Sequence, residues 1–343
     1  MLGNSAKCSR LISIATGLLL FSACEADAHV KWFWAFDVAG QPRGLENILC
    51  TDFESLVALA VGGLSFGCLI EATSIGPNLL RALDRITLRL RADMETLIRA
   101  VCGAFFVALW AHGGILLTPE LKTDSTFIPW LQLVIAGGML SRSALGFSGV
   151  GIYYLFLQSL LQYGAFHLMD YPIFLGIGAY MILTGLQRSF FGQRPLDVMR
   201  ASAAITLMWA SIEKWAYPEW SFPLFISHPT MTLGYDQEYF MRAAGMIEFV
   251  LAFALLWTPL VRRSAAAVLV GMFISAVVVF GKIDAIGHAP IVIALFAVVC
   301  DDFKIKAGRT EVVLAPFALA STLAVFFAMY YELHSIMFGT SIA

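Results

Sequence analysis

Between residues 53 and 333 the chain is a succession of apolar stretches, each about 15 to 22 residues long and bounded by charges or by Pro and Gly. That is the length needed to cross a hydrocarbon layer of roughly 30 Å. Ten such stretches are readable, at 53–72, 97–117, 127–142, 144–166, 172–187, 201–217, 240–259, 264–283, 288–300 and 312–333. In lipid the backbone polar groups of each stretch must be satisfied within the protein, so the pattern predicts an all-α, polytopic transmembrane helix bundle. Composition agrees: 59% of the 343 residues are hydrophobic and 13% charged, about half the charged fraction of an ordinary soluble domain, and the mean hydropathy is +0.79. A soluble cytosolic enzyme is excluded. With 22 Lys and Arg against 24 Asp and Glu, there is no basic surplus for a phosphate backbone, and nucleic acid is excluded as a partner.

Ahead of the first span, Lys7 and Arg10 precede an apolar run from Leu11 to Ala23, followed by Ala26-Asp27-Ala28. This order reads as a signal peptide, 1–28, with an A-x-A cleavage site. Cleavage there would start the mature chain at His29, whose α-amine and imidazole form a chelate that suits copper, resembling the histidine brace of copper monooxygenases. Two alternatives remain open: lipidation at Cys24, through a box in which Phe21 is a poor match, and an uncleaved anchor.

The remainder divides into an outer N-terminal segment, 29–52, a transmembrane half, 53–190, and a second transmembrane half, 198–334. With the new N-terminus outside, fourteen positive residues fall on inner segments: Arg81, Arg85, Arg89, Arg91, Arg99, Arg142, Arg188, Arg194, Arg200, Arg262, Arg263, Lys304, Lys306 and Arg309. The outer segments hold Lys31, Arg43, Lys122, Lys214, Arg242 and Lys282. The positive-inside rule then predicts a multi-pass inner-membrane protein with both termini outside. Trp32, Trp34, Trp110, Trp130, Trp215 and Trp220 fall at the outer interface, where an indole keeps its N–H wet. Trp209 and Trp257 do not.

All six histidines, His29, His112, His167, His228, His288 and His334, fall on the outer side of this topology. Of these His29, His112, His167, His288 and His334 are the candidate metal ligands, and copper the candidate metal. No pair has a compact ligand spacing and no C-x-x-C is present, so such a site has to be assembled from separate helices. The bland alternative is a set of ordinary interfacial histidines. Cys50 is the one cysteine outside after cleavage, so no intramolecular disulfide is expected.

Ionisable residues within or beside spans are expensive to bury and carry a functional hypothesis by default. Glu213 and Lys214 end one span, Glu248 lies inside the next, Lys282, Asp284 and His288 occupy an outer turn, and Glu332 and His334 close the last span. Glu213, Lys214, Glu248, Lys282 and Asp284 are the candidate catalytic residues. Their similar depth predicts pairing across the bundle, with Glu248 next to Lys214 or Lys282 as a proton-transferring acid or base. The competing role is a structural ion pair, and adjacent Glu213 and Lys214 are not expected to pair with each other. Glu71 and Arg142 read as inner anchors. Gly63 and Gly67, Gly137-Gly138, and Gly176 with Gly178 read as close helix contacts. No phosphate loop, nucleophile elbow or Ser/His/Asp set is present.

From Met199 to Asp302 four strings stand in order: Ile212-Glu213-Lys214-Trp215, then Gly245-Met246-Ile247-Glu248-Phe249, then Arg262-Arg263, then Phe280-Gly281-Lys282-Ile283-Asp284 leading through Gly287-His288-Ala289-Pro290. This order resembles the DoxX/DoxD-like family of small membrane proteins over roughly 100 residues. The resemblance implies a four-helix module, linked in some members to quinone-dependent sulfur oxidation, with Glu213, Lys214, Glu248 and His288 in its polar site. Five spans before the module and one after it depart from that family. The expectation is a membrane redox protein, quinone-linked or with a periplasmic or membrane redox partner. The alternatives are a small-ligand or metal-handling transporter, or a subunit of a membrane complex.

Overall fold

The computed structural model describes Lys31, residues 36–302 and residues 309–340. The signal segment, His29, Trp32, Trp34, Lys304 and Lys306 lie outside the described residues.

The described chain is all-helical. Its principal helices are α1 (Thr51–Ala72), α2 (Ile75–His112), α3 (Phe127–Gly138), α4 (Leu145–Tyr163), α5 (Pro172–Leu186), α6 (Pro195–Ala216) and α7 (Gln237–Ala254). Then come α8 (Pro259–Val277), α9 (Phe280–Val299) and α10 (Arg309–Phe338). Among the described residues six helices are long and apolar enough to cross a membrane: α1, α2, Arg142–Tyr163 (α4 with the turn before it), α8, α9 and the Thr310–Phe338 stretch of α10. The apolar helices α3 and α5 are shorter. Large apolar side chains such as Leu59, Phe66, Phe147 and Phe317 are exposed, a surface that water disfavours and a bilayer accepts.

Helix starts follow local chemistry. Proline occupies the first turn of α5, α6 and α8, where its missing N–H is no loss and its φ is already helical. Asp236 caps α7, its carboxylate accepting from the backbone N–H groups of Glu238 (3.0 Å) and Tyr239 (3.1 Å). The chain reverses between α8 and α9 within a few residues, because Gly281 takes φ 75° and ψ −151°, a region closed to residues with a Cβ. Two contacts identify the hairpin: Arg263 Nε donates to Val299 O at 2.8 Å, and the rings of Phe273 and His288 lie 4.8 Å apart.

The polar helix α6 packs against α5, α7 and the α8–α9 hairpin and buries Trp209, Ser211, Ile212, Glu213 and Trp215. Protein therefore covers the helix whose charges lipid would reject. At one end of the bundle the arginines are tied into acids and helix C-termini. Asp84 accepts from Arg263 (2.7 Å) and Arg91 (2.9 Å), Asp301 pairs with Arg194 (2.7 Å), and Arg91 and Arg99 donate to the carbonyls of Cys300 and Met139. The guanidinium groups thus satisfy carbonyls left over at helix ends. Glu71 does the converse: its Oε2 accepts from Thr258 Oγ1 (2.6 Å) and Val261 N (3.1 Å) at the start of α8. At the opposite end His112 closes α2, His228 touches Phe280 at the α8–α9 turn, and His167 and His334 meet Phe36 and Val38, while His288 lies within α9.

The expected glycine contacts are only partly present. A Cβ on Gly63 would meet nothing, and one on Gly67 would make an ordinary contact with Val261. Gly137 likewise faces open space, whereas Gly138 abuts Ser148. Gly176 abuts Ser202 Oγ on α6, and α4 crosses α5 closely through backbone: a Cβ on Gly149 would lie 2.5 Å from the Gly178 carbonyl oxygen.

Candidate functional site

The histidine end is closed by the segment before α1. Residues 36–48 run over the tips of α6, α7 and α10, pinned by Arg43 N to Ala216 O (2.9 Å), Tyr217 Oη to Gly40 O (2.7 Å) and Tyr331 Oη to Arg43 O (2.5 Å). His334 joins this strap. Its Nε2 lies 3.0 Å from both Tyr217 Oη and Val38 O, and its Nδ1 2.8 Å from Thr340 Oγ1.

Beneath the strap is a buried cluster. The Lys31 ammonium lies 2.5 Å from Asp170 Oδ2 and 2.6 Å from Glu213 Oε2. It also faces the rings of Trp220 and Phe36, at 5.4 and 5.5 Å from their centroids. Lys31 and Asp170 are 4% and 7% exposed at their side chains. Burial alone would push the Lys31 pKa down, but the two carboxylates outweigh it and hold the ammonium well above its ordinary range.

A third acid adjoins them. Glu120, from the loop after α2, is 4% exposed at its side chain, and its Oε1 lies 3.9 Å from His167 Nε2. Among the described residues both Glu120 oxygens, His167 Nε2 and Asp170 Oδ1 are buried without a hydrogen-bond partner. His167 packs edge-on against Phe36, 5.6 Å between ring centroids, so Phe36 touches both groups. Below, Trp209 stands one helical turn before Glu213, and its ring lies 4.8 Å from that of Tyr330. Trp209 Nε1 and Tyr330 Oη are also buried without a hydrogen-bond partner.

The remaining expected residues are dispersed. Glu213 and Lys214 do turn to different partners, Lys214 Nζ pairing with Glu248 Oε2 at 3.0 Å. Asp284, 1% exposed at its side chain, lies 2.8 Å from His288 Nδ1 on the same helix. Lys282 is half-buried and makes no ion pair among the described residues, and Glu332 is exposed. The belt anticipated at one depth is therefore three separate pairings rather than one site. His112 is exposed at the end of α2, with Nδ1 3.3 Å from Gly113 O. Among the described residues no three His, Cys, Asp or Glu are grouped to hold a metal ion. Among the described residues His112, His167, His288 and His334 are not gathered into such a group, and His29 lies outside them.

Sequence reasoning missed Lys31, Asp170 and Glu120. The available signal was contextual: Glu120 follows Pro119, Asp170 sits two residues before Pro172, and Lys31 precedes an aromatic run. No family model, curated protein or solved structure matches the chain. Fold and composition place it in the class of all-helical proteins with membrane-crossing helices.

Proposed function

We propose that the chain is an integral membrane protein that handles protons at the histidine end, with Glu213 and Asp170 around Lys31, and Glu120 beside His167, as the groups that carry them. The observation that carries this reading is the imbalance of buried charge: two carboxylates share one ammonium, and a third, Glu120, faces His167 at 3.9 Å with no hydrogen-bond partner among the described residues. Buried carboxylates in excess of their counter-ions favour uptake of a proton over remaining charged. A proton also needs no cavity, which suits a cluster packed under Phe36, Trp220 and Tyr217.

In its redox form the proposal is electron exchange between a membrane quinone and a partner at that face. The quinone supplies two-electron, two-proton chemistry, and the carboxylates accept or deliver the protons. The Lys214–Glu248 pair, part of the DoxX-like strings, is the second proton-handling candidate. A cation path through the same carboxylates is the second reading, favoured by Glu120, whose oxygens have no hydrogen-bond partner among the described residues.

The test is proton movement in proteoliposomes holding an internal pH dye, with a membrane potential applied, measured with and without a reduced quinol and an electron acceptor outside. Wild-type protein is expected to move protons in at least one condition. Glu213→Gln, which keeps a hydrogen-bond acceptor for Lys31, is expected to slow it on the order of a hundredfold, and Asp170→Asn serves if that variant folds poorly. Unchanged rates in both variants, or no proton movement by the wild type, would overturn the reading. Sodium or potassium flux without proton movement would favour the cation path.

A further inference from the structure

At the arginine end a cavity of about 330 Å³ opens between α2, α5 and the start of α6, lined by Glu95, Arg142, Tyr180, Gln187, Arg188 and Arg194 among others. Its guanidinium groups are unequally engaged. Arg194 is committed to Asp197 (2.8 Å) and Asp301 (2.7 Å), and Arg142 shares Glu95 with Arg99, at 3.2 and 3.5 Å. Arg188 makes no ion pair among the described residues. Its side chain is exposed, on a backbone held by its N–H donating to Leu183 O at 2.9 Å and by Gln187 before it at φ 54°, a turn that ends α5.

Immediately beyond, residues 190–193 form a tight hairpin. Phe190 and Gln193 exchange backbone hydrogen bonds of 3.0 and 2.9 Å, and Phe191 and Gly192 both take positive φ, 47° and 78°. A bulky side chain in that region is strained. Yet Phe191 is 89% exposed and Phe190 54%, with the two rings in edge contact at 4.6 Å. In water the strain and the exposure both cost free energy. At a lipid interface the same knuckle inserts two rings beside an uncommitted guanidinium.

We propose that this cavity binds the phosphate of an anionic phospholipid. Arg188 holds the phosphate oxygens, Arg142 adds charge at the rim, and Phe190 and Phe191 pack against the adjoining glycerol and acyl region. The arginine end is also where the positive-inside pattern expects the inner leaflet. The shared chemistry is a phosphate oxyanion, and free phosphate is the other source that could supply it.

The experiment uses the full-length protein in nanodiscs of phosphatidylcholine, with and without phosphatidylglycerol, and scores thermal stability together with lipid retained in native mass spectra. Phosphatidylglycerol is expected to stabilise the wild type and to remain bound. Arg188→Gln is expected to weaken that binding about tenfold, and Phe190→Ser with Phe191→Ser to weaken it as well. Arg89→Gln, an exposed arginine at the same end, is expected to leave it unchanged. Equal losses from Arg188→Gln and Arg89→Gln would reduce the effect to general attraction and overturn the proposal. So would full phosphatidylglycerol retention by Arg188→Gln. Equivalent stabilisation by inorganic phosphate in phosphatidylcholine discs would overturn the lipid source in favour of a soluble phosphate.

Discussion

Replacing Lys31 by methionine is expected to destabilise the protein by about 3–5 kcal/mol, the range found when one partner of a buried ion pair is removed. Methionine fills nearly the same volume and keeps contact with Trp220 and Phe36, so packing changes little. What changes is that Asp170 and Glu213 lose the ammonium that both approach within 2.6 Å. Two carboxylates then face each other in a buried site with nothing to offset them. Adding Asp170→Asn and Glu213→Gln to Lys31→Met is expected to recover most of the loss, because the variant then buries neutral groups. Thermal unfolding of the purified protein in detergent reads both steps. A Lys31→Met variant within about 1 kcal/mol of wild type would sink this account, since exposed pairs give values of that size.

The pH dependence has a definite sign. The Lys31 pKa is raised in the folded state, so its contribution is fully present below the ordinary lysine value near 10.4 and is lost only as pH rises through the higher folded value. The gap between wild type and Lys31→Met is therefore expected to be insensitive to Lys31 itself across neutral pH and to shrink in strong alkali.

This cluster shows what a single sequence does and does not disclose. Six of the ten expected spans coincide with helices long and apolar enough to cross a membrane among the described residues, legible because lipid imposes one length and one polarity on each. Glu213 was legible too, as a carboxylate ending an apolar run. Its partners were not, because Lys31 lies 182 positions earlier and Asp170 sits in a loop, and no periodicity links a strap, a loop and a helix end. Lys214 and Glu248 were found together because both occupy helices whose depth can be counted at 1.5 Å per residue. Lys282 and Glu332, counted to the same depth, make no ion pair among the described residues, since depth along an axis says nothing about which way around the helix a side chain points.

The strap gives the cluster its particular character. Tyr217 Oη, Ala216 O and His334 Nε2 bond the backbone of residues 36–48 at Gly40 O, Arg43 N and Val38 O, while Lys31 and Phe36 reach below it. A segment held through its backbone is insensitive to most side-chain changes along it, whereas Lys31 supplies charge that no neighbour replaces. The consequence is a division of labour within one short stretch: residues 36–48 close the end, and Lys31 neutralises what they cover.

Gly149→Ala and Gly63→Ala are expected to have opposite outcomes although both glycines stand in apolar helices at small-residue spacings. At Gly149 a methyl group would sit 2.5 Å from the Gly178 carbonyl oxygen and 2.6 Å from Ile182 Cγ1, and the backbone contact cannot be relieved by turning a side chain. Helices α4 and α5 would have to separate, with an expected loss of about 1–3 kcal/mol, and Gly149→Leu should be worse. At Gly63 the methyl group meets nothing within 4 Å, so alanine is expected to be neutral or to stabilise by up to about 1 kcal/mol through its helix propensity. Thermal melts of the two single variants in the same detergent decide the matter. Comparable losses at both positions would mean that Gly63 faces a surface outside this chain. Neutrality at Gly149 would mean that α4 and α5 do not cross as closely as their carbonyl contact requires.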